Sequence, residues 1–238
     1  MAYIKLNGIR SDDLGLRMIG RRDITTSSRD YELIEITGVD GAYTQDNDRL
    51  NIVEQEFQFV LSDHVVDTIP DISNWLNKSV GFKECELSWD SNYVYYAQNR
   101  GSVAIKEILK KYGKLKINLV FHPIKYLKES LTKQTTITNS GVIKNNGQVV
   151  SYPKLEFSSA SDVTLKINGR PLELRGVQNN LTFDADKQMI YRVEGVTKIP
   201  DWSKLLIVSG RPYLDVGDNK IEISGGQVKV TAKEGWHI

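Results

Sequence analysis

Val163-Thr164-Leu165-Lys166-Ile167-Asn168-Gly169-Arg170-Pro171-Leu172-Glu173-Leu174 alternates apolar and polar residues on both sides of an Asn-Gly pair. Both turn residues tolerate positive φ, so the phrase specifies two antiparallel strands joined by a two-residue turn, each with one face for a core and one for water. The same pattern runs through the second half of the chain. Leu181-Thr182-Phe183 and Met189 to Val193 flank Asp184-Ala185-Asp186-Lys187, and Ile221 and Ile223 lead through Gly225-Gly226 to Val228 and Val230, which reads as a further two-residue hairpin. Two longer phrases deliver the chain from Gly-, Asn- and Pro-rich turns into alternating strands: Asn139-Ser140-Gly141 leading to Tyr152-Pro153-Lys154-Leu155-Glu156-Phe157, and Pro212-Tyr213-Leu214-Asp215-Val216-Gly217-Asp218-Asn219-Lys220-Ile221. Strands this short and this regularly punctuated predict an antiparallel sandwich or jelly roll of about a hundred residues.

The first half mixes strand and helix signals. Tyr3 to Leu6 is a short strand before a turn at Asn7-Gly8, and Ile36-Thr37-Gly38-Val39-Asp40-Gly41-Ala42-Tyr43 is a second turn. From Val53 to Leu61 the residues Val53, Phe57, Phe59 and Leu61 share one face that Gln55 interrupts, while Glu54, Glu56 and Gln58 lie on the other, as in a half-solvated strand. A helix is predicted from about Thr68 to Lys78, with Pro70 in its first turn and Ile69, Ile72, Trp75 and Leu76 as the core stripe. A strand pair follows at Cys85 to Trp89 and Tyr93 to Gln98. A second helix is predicted from Ser102 to Tyr112, capped by Ser102 and closed by Gly113, with Ala104, Ile105, Ile108, Leu109 and Tyr112 on its apolar face. Its other face would carry Lys106, Lys110 and Lys111, continued by Lys114 and Lys116, which reads as a solvated face. The strand Leu115 to Phe121 ends at His122-Pro123, and the polar stretch Lys125 to Asn139 marks a boundary between domains at 1–130 and 131–238.

Composition narrows the function classes. The 238 residues suffice for two cores, and 40% hydrophobic with 26% charged residues is ordinary for a globular chain. A net charge of +1 supplies no bulk drive toward nucleic acid or an anionic membrane. No stretch approaches the roughly 18 apolar residues of a bilayer span, and the N-terminus alternates instead of forming a signal-peptide block, so the chain is expected to stay in the cytoplasm where it is made until something releases it. The lone Cys85 has no disulfide partner and reads as buried strand thiol.

Chemistry-bearing patterns are sparse. His64, His122 and His237 are too scattered for metal-ligand spacing, and the sequence carries no nucleophile elbow, P-loop or dinucleotide fingerprint. Asp184 and Asp186 invite a calcium or glycosidase reading, but carboxylates flanking a turn more commonly accept local backbone hydrogen bonds. Trp202, Tyr213 and Trp236 lie in or near loops, where they serve either as a sugar platform or as plugs at the end of a sandwich. No catalytic, cofactor-binding or metal residue is nominated, and the chain is expected not to be an enzyme.

Taken in order, Ile4-Lys5-Leu6-Asn7-Gly8, Asp13-Leu14-Gly15-Leu16, Gly38-Val39-Asp40-Gly41, Asn139-Ser140-Gly141 to Pro153, Ser161 to Gly169, Phe183-Asp184 and Pro212 to Ile221 resemble the distal tail proteins of long, flexible-tailed bacteriophages. The resemblance implies a mainly β chain: an N-terminal β-sandwich-like domain with one or two helices, and a C-terminal sandwich similar to galectins or carbohydrate-binding modules. It further implies a virion protein at the tail tip, forming a hexameric ring through its N-terminal domains. Such a ring contacts the tail tube protein, the tape measure protein and the baseplate proteins that carry the receptor-binding machinery, with DNA only as cargo through the lumen. If the lysines from Lys106 to Lys116 lined that lumen, they would meet the tape measure protein or passing DNA. Nothing in the second half resembles a long inserted arm or an added sugar-binding domain, which argues against direct host recognition. The alternative is a monomeric carbohydrate-binding module that recognises cell-wall polysaccharide.

Overall fold

The computed structural model describes residues 2–20, 24–62, 65–78, 80–101, 105–109, 112–178, 180–208 and 210–238. The chain divides into two compact units, Met1–Lys125 with His237–Ile238, and Tyr126–Trp236, so it passes between them twice.

The first unit contains β1 (Ile4–Leu6), β2 (Ile9–Arg10), β3 (Leu16–Ile19), β4 (Arg29–Ile34), β5 (Tyr43–Leu50), β6 (Val53–Ser62), α1 (Val65–Asn77), β7 (Lys83–Leu87), β8 (Tyr93–Asn99), β9 (Ile105–Leu109), β10 (Tyr112–Phe121) and the beginning of β11 (Ile124–Leu127). Its main sheet runs β2-β1-β7-β8-β10-β6-β3, with β9 added beside β10. The backbone of the sheet is the β6–β10 pair, in register from Val53 opposite Phe121 to Ser62 opposite Tyr112. Val53, Phe57, Phe59 and Leu61 face the core as their period of two requires, and they pack with Leu115, Ile117, Leu119 and Phe121. Helix α1 completes that core with Ile72, Trp75 and Leu76, and the Trp75 indole donates to the carbonyls of Leu6 and Ile9, both at 3.2 Å. That one donor satisfies two carbonyls and ties helix to sheet edge.

Three sequence expectations change here. Helix α1 starts at Val65, so Pro70 lies inside the helix instead of in its first turn, and Ile69 is 41% exposed and outside the stripe. The second expected helix is absent: residues 105–109 form β9, which turns back on β10 with Ile105 opposite Leu115 and Lys106 opposite Lys114. A short isolated helix is marginal, and a ready sheet edge offers hydrogen bonds that the local apolar stripe cannot match. Ser102, Ala104, Lys110 and Lys111 from that expectation lie outside the described residues. Cys85 sits on β7 with no exposure, and burial pushes its thiol pKa up, which leaves it a neutral packing group.

Among the described residues, strands β4 and β5 pair only with each other, as a two-stranded sheet from Arg29 opposite Leu50 to Ile34 opposite Tyr43.

The second unit holds β12 (Thr135–Asn145), β13 (Lys154–Ser158), β14 (Val163–Ile167), β15 (Arg170–Leu174), β16 (Leu181–Asp184), β17 (Met189–Glu194), β18 (Thr197–Pro200), β19 (Leu205–Val208), β20 (Gly217–Thr231) and the start of β21 (Gly235–His237). Its order is β18-β17-β16-β13-β20-β14-β15-β19, with β12 also on β20. Both sheets are antiparallel and curled, giving the mainly β, sandwich-like class expected. The β14–β15 turn has Asn168 at φ 49° and Gly169 at φ 81°, the positive pair that an Asn-Gly hairpin requires.

Gly225-Gly226 is not a hairpin. β20 runs through it as one 15-residue strand that changes neighbours there, pairing with β14 at Ser224 and before, and with β13 from Gln227 onward. A Cβ at Gly225 would stand 2.2 Å from the Asp162 carbonyl oxygen, and one at Gly226 would stand 2.5 Å from that of Ser158. The two glycines therefore form a bend over which two other strands end, a way of curling one sheet around its own core.

Candidate functional site

The phrase from Pro212 to Ile221 is a hydrogen-bond knot. Asn219 is fully buried, and its Oδ1 accepts the Asp215 N–H at 2.7 Å while its amide donates to the carbonyls of Asp215 and Gly217 at 2.8 and 2.9 Å. Asn168 of the hairpin turn donates to Asp215 at 2.8 Å and to Asn219 Oδ1 at 2.9 Å, and its own Oδ1 accepts the Lys220 N–H at 2.8 Å. Arg170 reaches the Tyr213 carbonyl and Asp215, both at 3.0 Å, and lies over the Tyr213 ring at 3.7 Å. The hydrogen bond from Asn168, then that from Arg170 against the cost of partial burial, hold the Asp215 carboxyl below the usual carboxylate range. Two turns far apart in sequence are thus one structural element.

The carboxylates that invited a metal or acid–base reading are held by a lysine. Lys233 Nζ lies 3.1 Å from Asp184 and 3.3 Å from Asp186, Arg211 approaches Asp186 at 3.4 Å, and Asp184 also accepts the Lys187 N–H at 3.3 Å. Asp184 is 4% exposed, and that ammonium is the cation set against its buried carboxylate. Lys233→Met is expected to cost about 3 kcal/mol, because it strands a buried carboxylate, and to lower the unfolding midpoint by on the order of 10 °C in a calorimetric scan. A midpoint within a degree or two of the parent would show the pair to be ornamental. Among the described residues no three of His, Cys, Asp or Glu are grouped to hold a metal ion. His122 accepts the Ile124 N–H and abuts Phe82, His237 is on β21, and His64 lies outside the described residues.

The loop aromatics do not form a common platform. One face of Tyr213 is covered by Arg170, Trp202 is 51% exposed on a single 3-10 turn, and Trp236 is half-buried in β21. A concavity of about 390 Å³ lies across β13, β16 and β17, with Lys154, Glu156, Thr182, Lys198 and Lys229 around it. Its Tyr191 is 2% exposed and Lys154 is paired with Glu156, so the groove offers polar contacts without an open aromatic face.

On the first unit, Lys114 and Lys116 lie on β10 and Lys106 has its place on β9, not on a helix. Register places Arg17 of β3 opposite Val60 of β6, Val60 opposite Lys114 of β10, and Lys114 opposite Lys106 of β9. Arg17 and Lys114 therefore flank Val60 in one cross-strand row, and Lys106 holds the next register position on β9. In the next row Lys116 is paired with Glu56 at 2.8 Å, whereas Arg17 and Lys114 have no acidic partner among the described residues. Arg17 was not singled out in the sequence, because only strand register brings it beside the lysines.

No protein-family model matches the sequence, and no curated protein sequence matches it. Solved structures do match its fold. The crystal structure of the SPP1 Dit protein, described as a paradigm of the hub adsorption apparatus in phages infecting Gram-positive bacteria, superposes with a TM-score of 0.76 at 17% identity over 99% of both chains. A chain of the phage P2 baseplate, in its activated conformation with Ca, superposes with a TM-score of 0.57 at 10% identity over 98% of both chains. From end to end, in both units, the chain has the fold of the SPP1 Dit protein.

Proposed function

We propose that this chain is a distal tail protein: a structural hub at the tail tip of a long-tailed phage that forms a hexameric ring joining the tail tube to the host-adsorption apparatus. The observation that carries the reading is the full-length correspondence with the SPP1 hub protein, in which both units take part and neither chain is left uncovered by more than 1%. The phrases that carry the resemblance also have structural work: Asn219 and Asn168 lock the second unit, and the Asp184-Asp186 turn is pinned by Lys233. A hub needs a rigid frame with surfaces for several neighbours, here the tail tube protein, the tape measure protein and the baseplate proteins, and it needs no reaction centre. DNA passes through the ring as cargo. The protein resides in the virion and is not an enzyme.

Immunogold labelling of phage particles that contain the chain tests this placement. Label confined to the tail end distal to the capsid is the expected result. Label along the tube or on the capsid, or none on particles, contradicts it. Against the carbohydrate-binding alternative, one face of Tyr213 is stacked under Arg170 instead of facing a ligand, which leaves Trp202 as the open aromatic of the three.

A further inference from the structure

The β4–β5 hairpin lacks what keeps such an element folded. A two-stranded sheet alone in water is marginal, yet this one leaves Leu33 62%, Tyr43 60%, Tyr31 53% and Val39 50% exposed. The apolar residues are on both of its faces, since Tyr31 and Leu33 lie opposite Asp46 and Thr44 while Ile34 lies opposite Tyr43 one step on. Folding of one chain does not bury them.

Its charge is equally one-sided. Residues 29–50 carry two arginines against six carboxylates, a net charge of −4 in a chain whose total is +1. Both arginines are already used at the base, Arg29 by Asp46 and Asp48 and Arg49 by Asp30. Glu32, Glu35 and Asp40, toward the turn, have no cation partner among the described residues. The outer part of the hairpin is therefore acidic and apolar at once.

The same chain presents the complement: Arg17 and Lys114 flank Val60 in one row with half-buried Ile19 beside it, a cationic strip with an apolar centre whose two cations have no acidic partner among the described residues. We infer that the β4–β5 hairpin of one copy docks by its acidic, apolar outer half onto the Arg17–Lys114 row of a second copy. This deepens the ring reading and rests on it. A surface and its complement at two different places on one subunit make a head-to-tail contact, and such contacts repeated around an axis close into a ring. Opposite charges steer the encounter and reject the wrong register, and the exposed aromatic and aliphatic side chains supply the buried area. The lysine row is on this account an assembly surface, not a lumen lining.

The test is charge exchange in the full-length protein, read by light scattering across a concentration series, with thermal melts to confirm folding. Arg17→Glu with Lys114→Glu reverses the row, and Glu32→Lys, Glu35→Lys and Asp40→Lys reverse the hairpin. Each set is expected to raise the concentration for half-assembly at least tenfold, and the two combined are expected to restore it to within about threefold. Arg17→Gln with Lys114→Gln, which adds no repulsion, should give an intermediate shift. Rings that form as readily with either reversed set as with the parent overturn the docking while leaving the ring reading intact. A combined variant no better than its parts also overturns the docking, and so does a parent chain that stays monomeric throughout. If that monomeric chain is also missing from tail tips in the labelling experiment, the ring reading fails with it.

Discussion

Gly225→Ala is expected to destabilise the second unit by about 4 kcal/mol, a large share of the roughly 5–15 kcal/mol that an ordinary domain has. Two effects add. Gly225 has φ +85°, a conformation that a residue with a Cβ adopts at a cost of about 1–2 kcal/mol, and the new methyl would stand 2.2 Å from the Asp162 carbonyl oxygen. That oxygen belongs to backbone and has no rotamer to escape into, so either β20 or the approach to β14 must shift. Gly169→Ala is the matched control: its φ is +81°, with no atom within 4 Å of the added Cβ. It is expected to show the conformational cost alone, about 1 kcal/mol. Urea unfolding of both variants separates strain from overlap, and equal losses would show that the bend is not tightly packed.

Asn219→Ala is expected to cost about 4 kcal/mol as well, for a different reason. The mutation leaves the Asp215 N–H and the carbonyls of Asp215 and Gly217 without their shared partner, in a place that has no exposure for the residue they surround. Each stranded buried group costs about 1–3 kcal/mol, and part of the total is regained where water can enter. Asn219→Asp keeps the acceptor for the Asp215 N–H, loses both donors and adds a negative charge beside Asp215. It is therefore expected to remain well below the parent chain and to recover partly as pH falls toward the range where carboxylates protonate. Chemical denaturation at pH 7 and pH 5 reads both effects; an alanine variant within 1 kcal/mol of the parent would show that the knot is not what closes this loop.

These residues also show where sequence is readable. Asn168-Gly169 announced its hairpin because turn and strands lie within a dozen residues and the φ requirement is local. Val53 to Leu61 announced its buried face through period-two patterning alone. Gly225-Gly226 misled for the converse reason: local chemistry permits a tight turn, but the conformation is decided by Ser158 and Asp162, more than sixty residues away. Residues 105–109 misled likewise, since Ile105, Ile108 and Leu109 suit a helix stripe and the deciding partner is β10. The candidate surfaces follow the same division. Lys106, Lys114 and Lys116 were visible as a cluster, but Arg17 joins the row only through β3–β6 register, and no local pattern marks the β4–β5 hairpin as lacking a partner. The Asp184–Asp186 pair was visible, while the lysine that holds it, Lys233, lies just beyond the far end of β20.

The most direct test of the hub account is negative-stain electron microscopy of the purified protein, at concentrations where light scattering finds a large species. The account predicts closed six-fold rings with a central channel and no retention on cell-wall polysaccharide. A strict monomer at high concentration that is retained on the polysaccharide would contradict it and leave a sugar-binding module in its place.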